Sequence, residues 1–145
     1  MPEKKTIQRA RKDAREGKTP TTQAGEFVRE EMEHIRQGKH GARSTKQAIA
    51  IGLSKARRAG VDLPAPKAGR TSDRTRKQAE RDLAKGQSGQ GQRTPSATRS
   101  RAVSGALKRE GREAASPRAL SKQARSAAQA RRKRGTVTPV KAFHA

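Results

Sequence analysis

Two histidines and a run of carboxylates in "EEMEHIRQGKHGARSTKQ" are the first residues whose types suggest chemistry. Glu30 and His34 are four residues apart, which places them on one face of a helix at the spacing of a metal-binding pair. Two ligands are too few to define a site, so the expectation is a salt-bridged or solvent-facing His34, with no metal and no cofactor. The chain has no cysteine, which excludes a thiolate nucleophile, a disulfide framework and a Cys-based zinc site. It also lacks a GxxxxGK[ST] loop, and "GQSGQGQ" has no flanking strand and helix to make it a dinucleotide fingerprint. Glu26, Glu30, Glu31 and Glu33 are spaced as a solvated helix face, and no pocket is marked for them. The expectation is a non-enzymatic protein with no catalytic residues.

Phosphate binding has better support. In "GKHGARSTKQ" a glycine-opened basic loop runs into a helix start, so Lys39, His40, Arg43 and Lys46 surround unpaired backbone N–H groups. Ser44 followed by Gln47 fits a capping box, with Thr45 as the first helical residue. A plain polar turn with a good cap explains the same residues equally well, and both readings can hold together. Lys55, Arg57 and Arg58, at the far end of that helix, would reach a second phosphate or simply complement the helix dipole. Arg43, Lys46 and Gln47 could also address a major groove. However, only two core helices are visible, and a seven-residue connection is longer than a helix-turn-helix turn. Sequence-specific readout therefore ranks below non-specific binding. Further on, Arg125 and the run Arg131, Arg132, Lys133, Arg134 belong to a tail of densely spaced cations.

Charge sets the partner class. The net charge is +23 and the pI about 11.8. Self-repulsion at that charge favours a polyanionic partner, nucleic acid of some kind. Exposed aromatics, which single-strand recognition by stacking needs, are nearly missing: there are two Phe and no Trp or Tyr. A membrane surface is not expected, because the basic helices lack large inserting side chains. No apolar run approaches signal-peptide or transmembrane length, and the expected location is the cytoplasm, at the nucleoid.

The elements that must position these residues are all helical. Residues 1–66 carry 15 Lys/Arg against 8 Asp/Glu, and residues 67–145 carry 21 against 5. The break falls at "DLPAPKAGRTS", where Pro64 and Pro66 force an extended path. Three regions follow: a basic N-terminal arm at 1–20, helical if bound; a helix-loop-helix unit at 21–66; and a basic low-complexity tail at 67–145. In the central unit, Thr21 or Thr22 caps a helix that stops at Gly38, with Ala24, Phe27, Val28, Met32 and Ile35 in one stripe. The next helix presents Ala48, Ile49, Gly52, Leu53 and Ala56 and ends at Gly60. The two stripes, with Leu63, would bury against each other in a thin core. Such a unit is expected to be weakly stable alone and to form a homodimer through residues 21–63 or to firm up on its ligand.

In the tail, "SDRTRKQAERDLAKG", "SATRSRAVSGALKREG" and "SPRALSKQARSAAQARRKRG" read as helices that fold when phosphates neutralise them. The last has Ser116 as cap, Pro117 at the first position and Gly135 at the stop. "KGQSGQGQRTP" is a flexible linker by composition. A Lys-Gln-Ala triplet occurs at 46–48, 77–79 and 122–124. The unequal spacing excludes a solenoid, and low-complexity coincidence is favoured over duplication. The fold class expected is thus all-α, a small two-helix unit with loosely packed or disordered basic flanks.

Over residues 2–66, most specifically in "HGARSTKQAIAIGLSKARRAG", the chain resembles a family of small, basic, largely uncharacterised bacterial proteins usually labelled DNA-binding or plasmid-stabilisation proteins. The remainder resembles histone-H1-like tails in composition only, with arginine in excess of lysine. The resemblance implies DNA over RNA and supplies no mechanism. The function expected is a sequence-nonspecific phosphate-backbone binder acting as a nucleoid-associated or DNA-accessory factor. The alternatives are an RNA- or ribosome-associated basic protein, and an adaptor that docks a protein partner through the 21–37 helix.

Overall fold

The computed structural model describes residues 2–88 and 97–135. Among these it has six α-helices: α1 (Lys4–Arg15), α2 (Pro20–Arg36), α3 (Thr45–Arg58), α4 (Asp73–Ser88), α5 (Ala97–Lys108) and α6 (Pro117–Gly135). A single 3-10 turn, Glu113–Ala115, precedes α6. The described residues contain no strand, only an isolated bridge between Ala68 and Thr71.

The helix boundaries follow local chemistry. Thr19, two residues earlier than expected, caps α2 by accepting the Thr22 N–H at 3.3 Å. Pro20 then sits at the first helical position, where its missing N–H costs nothing and its fixed φ suits the helix. Gly38, at φ +77°, takes the left-handed conformation that ends α2 and frees the chain to turn into the loop. Ser44 caps α3 as the spacing predicts, accepting the Gln47 N–H at 3.1 Å. Ser116 caps α6 in the same way through the Ala119 N–H.

α2 and α3 form the centre. They cross at Gly52, where an added Cβ would stand 2.7 Å from Val28 Cα and 2.9 Å from Val28 Cγ2. That close approach lets alanines make a core out of little apolar surface. The expected residues are all used, but they divide into two clusters, and each is completed from outside the pair. Met32, Ile35, Ala42 and Ala48, flanked by Val28 and Ile49, close on Ala114, Ala115 and Leu120. Ala24, Phe27, Ala56 and Val61, flanked by Leu53 and Leu63, close on Ile7 and Ala10 of α1.

The two-helix unit with loose flanks is therefore corrected. α1 packs on α2, α4 packs on α3, the 3-10 turn packs on α2 and α3, and α6 packs on α3 and the 3-10 turn. The composition argument failed because it counted large apolar side chains. The flanks dock instead through alanines, which need little area when helix axes are close, and through buried polar ties. Thr45 Oγ1 donates to the Ala114 carbonyl at 2.6 Å and Arg36 Nε to that of Ala115 at 3.3 Å. The stripe on which a homodimer was expected is covered by the chain's own flanks, which removes the reason for one. The Gln/Gly linker lies mostly outside the described residues, and its first part, to Ser88, is helical.

Replacing Gly52 by Ala forces α2 and α3 apart. The expected loss is about 1–3 kcal/mol, read as a lower urea midpoint at unchanged slope.

Candidate nucleic-acid interface

The basic loop is more deeply built into the fold than a free phosphate seat would be. The Gly41 N–H donates to the Leu107 carbonyl at 2.8 Å and the Ala42 N–H to that of Gly111 at 2.9 Å. A Cβ at Gly41 would overlap the carbonyl oxygens of Glu110 and Gly111, so only glycine permits this docking. Two loop amides are thus taken by the last turn of α5 and the segment that follows it. The Arg43 N–H is taken as well, by Gln47 Oε1 at 2.5 Å, one residue before the Ser44 amide that a capping box would use.

The side chains divide accordingly. Lys39, Arg43 and Lys46 are exposed, Lys39 with Glu3 Oε1 3.8 Å away. Ser44 and Gln47 serve the cap, and Thr45 is buried on Ala114. His40 turns inward, its Nε2 3.2 Å from Glu31 Oε2. Lys55 also turns inward and pairs with Glu31 Oε1. Arg57 is only 7% exposed and donates to the Leu63 and Pro64 carbonyls at 3.1 and 3.0 Å, clamping the extended segment after α3. Burial lowers its pKa from the ordinary arginine value, and the nearby Asp82 carboxylate opposes that shift. Arg58 is exposed but held, Nε 3.6 Å from Asp82 Oδ1 and Nη2 bonded to Ser54 Oγ. Of the seven cations expected on or beside α3, three face solvent without a buried acid as partner, and they cluster at its N-terminal end.

Asp82 is the residue that sequence reasoning missed. It is 2% exposed, accepts from Ser54 Oγ at 2.7 Å and from Gln78 Nε2 at 3.1 Å, and faces Arg58. It ties α4 to α3, with Gly86 so close to the Arg57 carbonyl that a Cβ would overlap it. The one available signal was an acid on the same face as Ala79, unlike Asp73 and Glu80 of the same helix, which are exposed.

α6 is the most strongly charged element. It carries seven Lys/Arg and no Asp/Glu. At 100° per residue, five of the six partly buried residues, Ser116, Ala119, Leu120, Gln123 and Ala127, fall on one side, with Ala128 at its edge. Arg118, Lys122, Arg125 and Arg132 fall on the opposite side and are exposed. Arg131, Lys133 and Arg134 surround the C-terminal end and are exposed as well. The helix is therefore docked by one stripe and displays cations along the other, over about 21 Å from Arg118 to Arg132 at 1.5 Å per residue. α1 adds Lys4, Lys5, Arg9, Arg11, Lys12 and Arg15, all exposed. The three Lys-Gln-Ala triplets meet at one groove between α3, α4 and α6, lined by Lys46, Gln78, Ala79 and Gln123.

A family model described as a family of unknown function (DUF6496) matches residues 5–68, which span α1, α2, α3 and the segment that follows. That match supports the resemblance of this part of the chain to a family, but nothing in it shows a DNA-binding or plasmid-stabilisation family. No curated protein and no solved structure matches the chain. Among the described residues no helix is long and apolar enough to cross a membrane.

Replacing Asp82 by Ala leaves Ser54, Gln78 and Arg58 without their acceptor. The expected cost is about 1–3 kcal/mol, with α4 amides exchanging hydrogen faster while those of α2 and α3 stay protected.

Proposed function

We propose that this protein binds nucleic acid through its phosphates, without sequence preference, and acts on DNA as a nucleoid-associated accessory factor. The observation that carries the reading is the arrangement of α6, whose cationic stripe lies opposite its docked stripe. Such a stripe neutralises successive phosphates and releases their counterions, which is the source of sequence-independent affinity. Arg43 and Lys46 at the start of α3, beside the groove that α6 also lines, extend the surface.

Duplex is favoured over single strands. Phe27 is buried, and Phe143 lies outside the described residues. The described surface therefore offers no aromatic platform on which bases could stack. Base readout is disfavoured too, because Gln47, the best-placed polar residue for it, is committed to the cap.

The test is a gel-shift salt titration on duplex DNA with nuclease-treated protein. Engagement of about eight phosphates gives a slope of log K against log salt near −7. Deleting the tail would be a poor control, because Ala114, Ala115 and Leu120 complete the core. The informative variant is Arg118→Gln/Lys122→Gln/Arg125→Gln. It is expected to reduce the slope by about 3 and the affinity at 0.1 M salt by a few hundredfold. An unchanged slope, or binding that ignores salt, would count against the proposal. Competition by structured RNA at equal affinity would redirect it to an RNA-associated role.

A further inference from the structure

We infer that Glu31, His34 and His40 form a binding site for a zinc-class divalent cation, set between α2 and the loop that follows it. The spacing of Glu30 and His34 alone offered too few ligands. The fold supplies the others by turning the loop back at Gly38, which brings His40 over α2. The two imidazole rings lie edge to face with centroids 6.2 Å apart. One ligand atom from each of Glu31, His34 and His40 lies within 4.8 Å of the other two. A tetrahedral zinc site with bonds of about 2.0–2.2 Å has its ligands about 3.4 Å apart. Side-chain rotation of roughly an ångström therefore closes the ring.

The hydrogen-bonding pattern indicates that something belongs there. His40 Nδ1 lies 2.9 Å from the carbonyl oxygen of Gly41, which fixes the N–H on that nitrogen. Its Nε2 lies 3.2 Å from Glu31 Oε2. Glu31 is completely buried, and this oxygen accepts no hydrogen bond. A buried carboxylate oxygen that accepts no hydrogen bond, beside an imidazole nitrogen whose other N–H is committed, leaves a place that a cation fits. An imidazole that donates its far N–H to a backbone carbonyl is the usual outer-shell arrangement of a metal-ligating histidine.

Glu30 repeats the pattern next door. It is buried with Oε2 unbonded, and its Oε1 accepts the Glu3 N–H at 2.6 Å and lies 3.9 Å from His34 Nε2. Glu3 Oε1 is 3.4 Å from the same nitrogen. Glu31 is paired with Lys55 and Glu3 with Lys39, while His34 is the charged-pair partner of Glu30. Mixed imidazole and carboxylate donors select zinc over magnesium or calcium. A cavity of about 380 Å³ reaches His34 from the side of Glu3 and Glu30, with Lys5, Arg9, Arg29 and Lys39 also on its wall. Binding would fasten the loop to α2.

The experiment is calorimetric titration of the chelator-stripped, nuclease-treated full chain with Zn²⁺. One saturable site per chain is expected, with micromolar or tighter affinity, and a rise in the unfolding midpoint at excess Zn²⁺. His34→Gln and His40→Gln are each expected to weaken binding by at least about 100-fold, while His144→Gln leaves it unchanged. NMR of the wild-type chain gives a reading that needs no variant. Ring resonances of His34 and His40, but not of His144, should shift on addition of one equivalent. Weak binding without saturation would overturn the proposal, as would affinity that survives both variants. So would a His40 that remains a fully protonated imidazolium when Zn²⁺ is present, since a proton would then fill the place assigned to the metal.

Discussion

The burial of Glu31 between Lys55 and His40 is the interaction on which the rest of this structure depends. Glu31 belongs to α2, Lys55 to α3 and His40 to the loop between them, so one carboxylate ties three successive segments together. A buried ion pair is not strongly stabilising against an apolar substitute of equal size. Losing one partner, however, leaves a charge uncompensated at a cost on the order of 3–5 kcal/mol. The pair therefore works as a register device: other packings of α2 on α3 would strand the carboxylate. The same logic recurs around the molecule. Asp13 is buried beside Lys18 at the end of α1, Glu30 holds the start of α1 through the Glu3 N–H, and Asp82 holds α4.

This use of acids changes what the net charge of +23 means at the surface. Four of the thirteen acidic residues, Asp13, Glu30, Glu31 and Asp82, are buried. Their partners are partly withdrawn with them: Lys55 is half-buried, and Arg58 is held against Asp82. Cations without such a role, on α1, on the exposed side of α6 and at the start of α3, face water. The field outside the protein is strongest along α6, which carries no acid, and like-charge repulsion is kept away from the core by the same placement. A chain this basic can fold because its few carboxylates sit where neutralisation matters most.

How much of this was legible in the sequence depended on which kind of interaction formed each part. Local hydrogen-bonding rules carried well: Ser44 with Gln47, Ser116 with Pro117, and the stop at Gly38 are each visible in three or four adjacent residues. The stripe from Ala24 to Ile35 was legible because period and burial agree. The docking of the flanks was not. Ala114 and Ala115 bury against Met32 and Ile35 without any pattern to announce it, since alanine is equally at home in a disordered tail. Asp82 looked like one more charge, and its role exists only once Ser54 and Gln78 are beside it. At the site itself, exposure separated the sequence-predicted cations. Arg57, Lys55 and His40 went to internal partners that lie 7, 24 and 9 residues away in the chain, respectively. The exposed stripe of α6 follows from helical period alone, but the side on which it lies required knowing that Leu120 docks.

The docking of α6 also bears on how a phosphate-binding surface of this kind would work. A tail that folded only on contact would spend part of its electrostatic gain on ordering, at roughly 1–2 kcal/mol of backbone entropy for each residue fixed. With Leu120 seated in the core and Ser116 already capping, the α6 stripe is pre-arranged, and neutralised phosphates contribute more fully to affinity. α5 is different. It has no buried residue and exposes Val103, and it is attached at its C-terminal end by the hydrogen bonds from Gly41 and Ala42. Those bonds join the end of α5 and the segment after it to the loop that carries His40. Anything that fastens the loop to α2 therefore also steadies the base from which α5 projects, so order at the His40 loop and order at the basic α5–α6 face are one mechanical problem.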